Sequence, residues 1–175
     1  MAKRFFRMKN VDEVTKKMEK IFEDAATNDK VLNEIGQLIS ERIVFLARTG
    51  KSSEGDTNPT PFPDLKDSTV RQRRAFQKNY PGEVDAKFFK PGRANVTMTG
   101  QLLESFTYKI KNNSVVLFFK DSRKKVRKGD ESSNNAVYSN LVKLGFGFVG
   151  LDERGQKRVK KIVLDEFRRT IKKIF

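Results

Sequence analysis

The chain has 175 residues, of which 37% are apolar and 34% charged, and its net charge is +15. That suits one domain, residues 1–175, with a real core and a heavily solvated surface. Cysteine and histidine are both absent, which excludes a disulfide framework, thiolate catalysis, and the commonest general base and zinc ligand.

No apolar run approaches the roughly 20 residues that span a bilayer. The basic start, residues 1–10, holds Phe5 and Phe6 but leads into no apolar signal core. The expectation is an intracellular product, or one assembled inside a cell, with no membrane partner. A balance this basic suits an anionic neighbour such as nucleic acid or an acidic protein surface. Residues 122–175 carry 15 Lys/Arg against 6 Asp/Glu, so most of the excess lies in the last third.

Residues 11–26 place Val11, Val14, Met18, Ile21, Phe22 and Ala25 at helical spacing, with Asn10 or Asp12 able to cap. Asn28-Asp29 reads as a break. A second helix over 29–48 carries Val31, Ile35, Leu38, Ile39, Ile43 and Leu46, and Gly50 fits the left-handed position that closes it. Residues 50–66 read as an extended loop, since Gly55, Asn58, Pro59, Pro61 and Pro63 leave little room for regular structure. Phe62 and Leu65 pin that loop. Asp67 or Ser68 then caps a short basic helix to about Lys78, with Val70 and Phe76 inward and Arg71, Arg73 and Arg74 outward. Residues 80–94 are irregular, broken by Pro81-Gly82 and Pro91-Gly92, with Phe88 and Phe89 packing back on the body.

The clearest local signal follows. Thr99 can cap a short amphipathic segment, begun by Leu102, Leu103, Glu104 and Phe106, that feeds a hairpin. Phe106, Tyr108 and Ile110 alternate with Thr107 and Lys109, and Asn112-Asn113 is a pair that tolerates positive φ. Val115 to Phe119 is the return strand. Residues 122–135 form a charged link with Arg123, Lys124, Lys125, Arg127 and Lys128. A helix over 136–144 sets Val137, Leu141 and Leu144 on one face. A glycine-punctuated aromatic turn, residues 145–151, precedes a last helix capped by Asp152, with Val159, Ile162, Val163, Phe167, Ile171 and Ile174 apolar. The sum is an α+β fold: N-terminal helices, a small antiparallel sheet with a central hairpin, a C-terminal helix and long loops.

Chemistry has little to stand on. The five cations from Arg123 to Lys128 can grip phosphates, a DNA backbone among them, or an acidic partner. Asp64 and Asp85-Ala86-Lys87 match the loose acidic pattern of metal-dependent nucleases, but they fall in proline-rich loops rather than on neighbouring strands. The expectation is a non-enzymatic protein without cofactor or metal. A basic nucleic-acid-binding module, for DNA or RNA, is one reading of it.

A second reading comes from the order of the motifs. Residues 58–65 bring proline, Phe62 and Leu65. Ser68-Thr69 opens an arginine-rich helix, and Thr99-Gly100-Gln101-Leu102 precedes the hairpin. Phe148-Val149-Gly150-Leu151 leads into the last helix. In this order the features resemble the virion-morphogenesis, or tail-completion, proteins of tailed bacteriophages, as in Mu-like phages. Phe62 stands where that family often has tryptophan, and the family's histidine before Phe-Gly is missing. The resemblance implies a structural virion protein, assembled in the host cytoplasm. Such proteins form a ring, commonly of six copies, between the head connector and the tail tube or its terminator. It puts Phe62, Leu65, Thr99, Gly100, Leu102, Phe106, Tyr108, Phe118 and Phe148 at subunit or partner contacts.

Overall fold

The computed structural model describes residues 11–52, 58–95, 100–120 and 133–174. The elements run α1 (Val11–Thr27), α2 (Asp29–Arg48), β1 (Lys51–Ser52), β2 (Thr60–Pro61), α3 (Asp67–Asn79), a 3-10 turn (Pro81–Glu83), α4 (Gln101–Ser105), β3 (Phe106–Lys111), β4 (Ser114–Phe119), α5 (Asn134–Lys143) and α6 (Glu153–Ile174). Helices and two small antiparallel sheets, β1–β2 and β3–β4, make a mixed α+β fold.

Helix α2 is the strut on which the rest is hung. It packs on α1, on α6 and on both strands of the hairpin. Its buried residues are Val31, Leu32, Ile35, Gly36, Ile43, Leu46 and Ala47. The Asn28 break is a helix cap: its backbone is extended, and its side chain accepts a hydrogen bond from the Lys30 amide at 2.9 Å. At the other end Gly50, with φ of 79°, turns the chain away. Its carbonyl then accepts from the Phe62 amide at 2.9 Å. This corrects the reading of residues 50–66 as a loop without regular structure: Lys51 pairs with Pro61, and Ser52 with Thr60. The pairing closes the loop at its base; residues 53–57 lie outside the described residues.

The hairpin follows its sequence signal. Asn112 and Asn113 have φ of 50° and 54°, which is the two-residue turn that suits the strand twist. It sets the register Phe106↔Phe119, Tyr108↔Leu117, Ile110↔Val115. Tyr108 lays its ring over Gly36 of α2, so closely that a methyl at position 36 would overlap it. The core then closes around Ile43, Ala47, Phe62, Leu102, Leu103, Phe106, Phe119 and Phe148.

Phe148 reaches that core because α5 ends sharply. The Phe146 amide donates to the Leu141 carbonyl at 2.8 Å and the Gly145 amide to Val142 at 3.0 Å, with Gly145 at φ of 80°. This double bond pattern is the Schellman end, and it reverses the chain. Two expectations for this region need correction. The helix begins at Asn134, inside the expected 122–135 link, because Ser133 caps it by accepting from the Ala136 amide at 3.2 Å. Leu144 does not share the inward face; it is the C-cap residue just past the end of the helix and 68% exposed.

In α3, Asp67 is the first helical residue rather than the cap, and Lys66 holds the cap position without a side-chain bond. Arg73, expected outward, is buried. Its Nη1 donates to the Arg93 carbonyl at 2.7 Å and its Nη2 to Asn95 Oδ1 at 3.0 Å. The guanidinium also lies over the Phe89 ring, 4.8 Å from its centre. Burial lowers the pKa of the Arg73 guanidinium from its ordinary value. The segment from Pro81 to Asn95 has little structure of its own, and this fork holds it to the body. Asn95 Nδ2 adds bonds to the Phe88 carbonyl at 2.9 Å and the Arg48 carbonyl at 3.3 Å.

Candidate functional site

The residues singled out in the sequence fall into three groups. Phe62, Leu102, Phe106 and Phe148 are buried, so their apolar surface is already used inside the chain. Phe148 has no exposed surface and stands edge-on to the Tyr138 ring at 4.9 Å. Gly100 is buried too; at φ of 75° it, and not Thr99 as expected, occupies the N-cap position of α4, with no side-chain cap and next to the Asp85 carboxylate. Leu65, Tyr108 and Phe118 are half-buried, and of these Phe118 points to the side of the hairpin away from α2. Thr99 and the five cations Arg123, Lys124, Lys125, Arg127 and Lys128 lie outside the described residues, as does the arm 1–10. The four buried apolar side chains fix where the hairpin and the aromatic turn sit, and what they position is a pair of surfaces.

The first is the hairpin itself. With a two-residue turn the pair beside it, Lys111–Ser114, is bonded across the ladder, and bonded pairs alternate from there. The Lys120 amide donates to the Ser105 carbonyl at 2.9 Å, which continues that alternation. The backbone groups of Tyr108 and Ile110 on β3, and of Val115, Leu117 and Phe119 on β4, therefore face outward, while the Phe106 amide is taken by the Leu103 carbonyl at the end of α4. Among the described residues no third strand pairs with either edge. The outer face carries Val116, 37% exposed, and Phe118, whose ring lies 5.2 Å from Lys109 Nζ. Such an edge is a template for another strand.

The second surface is α6. Its 22 residues hold nine Lys/Arg against three Asp/Glu. Its apolar side faces α1 and α2, with Phe22 and Phe167 edge to face at 5.5 Å. The helix is seated by Asp152. That carboxylate caps α6 by accepting from the Gly155 amide at 3.1 Å, and it takes a forked bond from Arg42 of α2, at 3.2 Å from Nε and 2.6 Å from Nη2. The Asp152 side chain is 1% exposed. The Arg42 hydrogen bond, assisted by the Gly155 amide, holds its pKa below the usual carboxylate value despite burial. A groove of about 340 Å³ between α2 and α6 is lined by charges of both signs, among them Lys30, Glu34, Arg158, Asp165 and Arg169.

No family model, curated protein or solved structure matches the chain. Its own geometry must carry the functional reading. Asp64 is exposed, and Asp85 lies half-buried with its carboxylate 3.9 Å from Arg48 Nε. Among the described residues no three acidic side chains converge as metal ligands would, and no helix is long and apolar enough to cross a membrane. The sequence reading missed the cationic face of α6. Its apolar stripe is visible in the sequence, whereas the side on which its cations stand is defined only by the helices packed against it.

Proposed function

We propose that the protein is a structural assembly protein that joins copies of itself into a ring, of the kind that completes the neck or tail of a phage virion. The observation that carries this reading is the β3–β4 hairpin. It is seated on α2 through Tyr108 and Gly36, yet presents two backbone edges that no further described strand covers and an outer face on which Val116 and Phe118 stand beside Lys109. A ring subunit needs such an edge to hand to its neighbour, and strand addition supplies both affinity and register. The order of the Phe62 loop, the arginine-rich α3, the Gly100 turn and the Phe148 turn supports a subunit of the tail-completion type. Six copies is the expected number, with the head connector on one side and the tail tube or its terminator on the other. No catalytic step belongs to this role.

Substitution of Ile110 by proline tests the seam. The Ile110 amide faces outward, so proline removes a donor from the open edge and none from the ladder. The variant should keep its circular dichroism spectrum yet fail to form the ring, measured by light scattering with the connector and tail-tube proteins present. A ring formed equally well by the variant places the seam elsewhere. Failure of the unaltered protein to associate with either component removes the assembly reading altogether, as does a gene neighbourhood without portal, capsid and tail-tube genes.

A further inference from the structure

The cations of α6 are arranged, not merely numerous. Arg154, Lys157, Lys161, Arg168 and Lys172 are all exposed and recur at intervals of three, four, seven and four residues. At 3.6 residues per turn these positions fall within an arc of about 60°, and at 1.5 Å per residue the row is about 27 Å long. The row lies on the side of α6 opposite its apolar stripe, with Lys161 at the rim of the groove between α6 and α2. Lys157 pairs with Glu153 at 2.6 Å and Arg168 with Asp165 at 3.3 Å, each within one turn of the same helix. Exposed pairs of this kind exchange readily for a stronger anion.

We infer that this row is a binding site for the phosphate backbone of duplex DNA. Three features of the surface select that partner. A membrane-surface helix needs a free apolar face beside its cations, and the apolar face of α6 is spent against α1 and α2. A protein partner is usually gripped by an apolar or aromatic centre ringed by polar residues, and the row has only long cationic stems on it. A polyanion with regularly repeated charges fits what remains. A duplex carries one charge per roughly 1.7 Å of axis, so the row matches about eight base pairs. Contacts of this type position a protein on DNA without reading its sequence. The inference does not depend on ring assembly, and it places DNA contact on a helix distinct from the link that holds Arg123 to Lys128.

The test is fluorescence anisotropy with a labelled 30-base-pair duplex and the full chain, titrated at several salt concentrations. Arg154→Gln, Lys161→Gln and Lys172→Gln together should weaken binding at least tenfold. They should also reduce the slope of log affinity against log salt by about 3. A control with the same loss of charge, Lys78→Gln, Lys90→Gln and Lys111→Gln, should leave binding within twofold, and all variants should share one circular dichroism spectrum. The inference is overturned by equal losses in both triple variants, which would mean net charge alone. It is overturned by full binding in the α6 variant with loss in a Lys124→Gln, Lys125→Gln, Lys128→Gln variant. Absence of duplex binding at 100 mM salt, or tighter binding to anionic vesicles than to DNA, has the same consequence.

Discussion

Gly36 shows how much one absent side chain can decide. It sits inside α2, where alanine would favour the helix by about 1 kcal/mol. The Tyr108 ring occupies the space that a methyl would need. Gly36→Ala should therefore destabilise the fold, by about 1–3 kcal/mol, because overpacking outweighs propensity. Urea denaturation of the single variant, and of the same change combined with Tyr108→Ala, would separate the two terms. Alanine at 36 should cost less once the ring is gone. Equal costs in both backgrounds would mean that the close approach does not govern the site. Gly36 gave no local sign of this role, since the partner ring comes from a strand that only the fold brings near. Phe148 is similar: a Phe-Gly-Phe turn reads as well for an exposed corner as for a core, and burial follows only from the Schellman end of α5.

At the level of elements, ends were more legible than faces. Asn28, Gly50, Asp152 and the Asn112-Asn113 turn act through bonds or dihedral angles within a few residues, so local rules place them. The α3 face was not legible. Arg71, Arg73 and Arg74 have the same chemistry, and what draws Arg73 inward is a carbonyl and an amide oxygen 20 and 22 residues further on. Removing that guanidinium should release the segment it holds. Arg73→Ala leaves the Arg93 carbonyl and Asn95 Oδ1 without this donor, at a cost of about 2–3 kcal/mol. Trypsin should then cut at Lys87 or Arg93 well before the rest of the chain. Arg73→Lys should protect poorly, because an ammonium cannot span both acceptors as the fork does. Unchanged cleavage in the alanine variant would show that Phe89 packing suffices. The cationic row of α6 was legible as a count and illegible as a surface, since its outward direction is defined only once α1 and α2 cover the opposite side.

For the whole molecule the acid limit is set in part by Asp152. In the unfolded chain this carboxylate takes up a proton near its ordinary value of about 4. In the folded protein it does so only at lower pH, because Arg42 and the Gly155 amide hold the charged form. The unfolded state thus binds the proton first as pH falls, and folding loses stability. The contribution is complete above about pH 4 and disappears as pH drops through the folded value. Asp152→Asn keeps an oxygen for the cap but not the charge. Its stability deficit, on the order of 3 kcal/mol at pH 7, should shrink when both proteins are compared at pH 3. A deficit that stays constant across that range would assign the loss to the cap or to packing instead.

The Arg42–Asp152 pair also has a consequence in time. Its two residues are 110 positions apart, and translation at roughly 5–20 residues per second separates their appearance by about 6–20 s. Throughout that interval α1 and α2 have been made, but the helix that covers their apolar sides has not. The nascent chain must therefore wait with those sides open, and the arrival of one carboxylate both starts the last helix and tells it where to land.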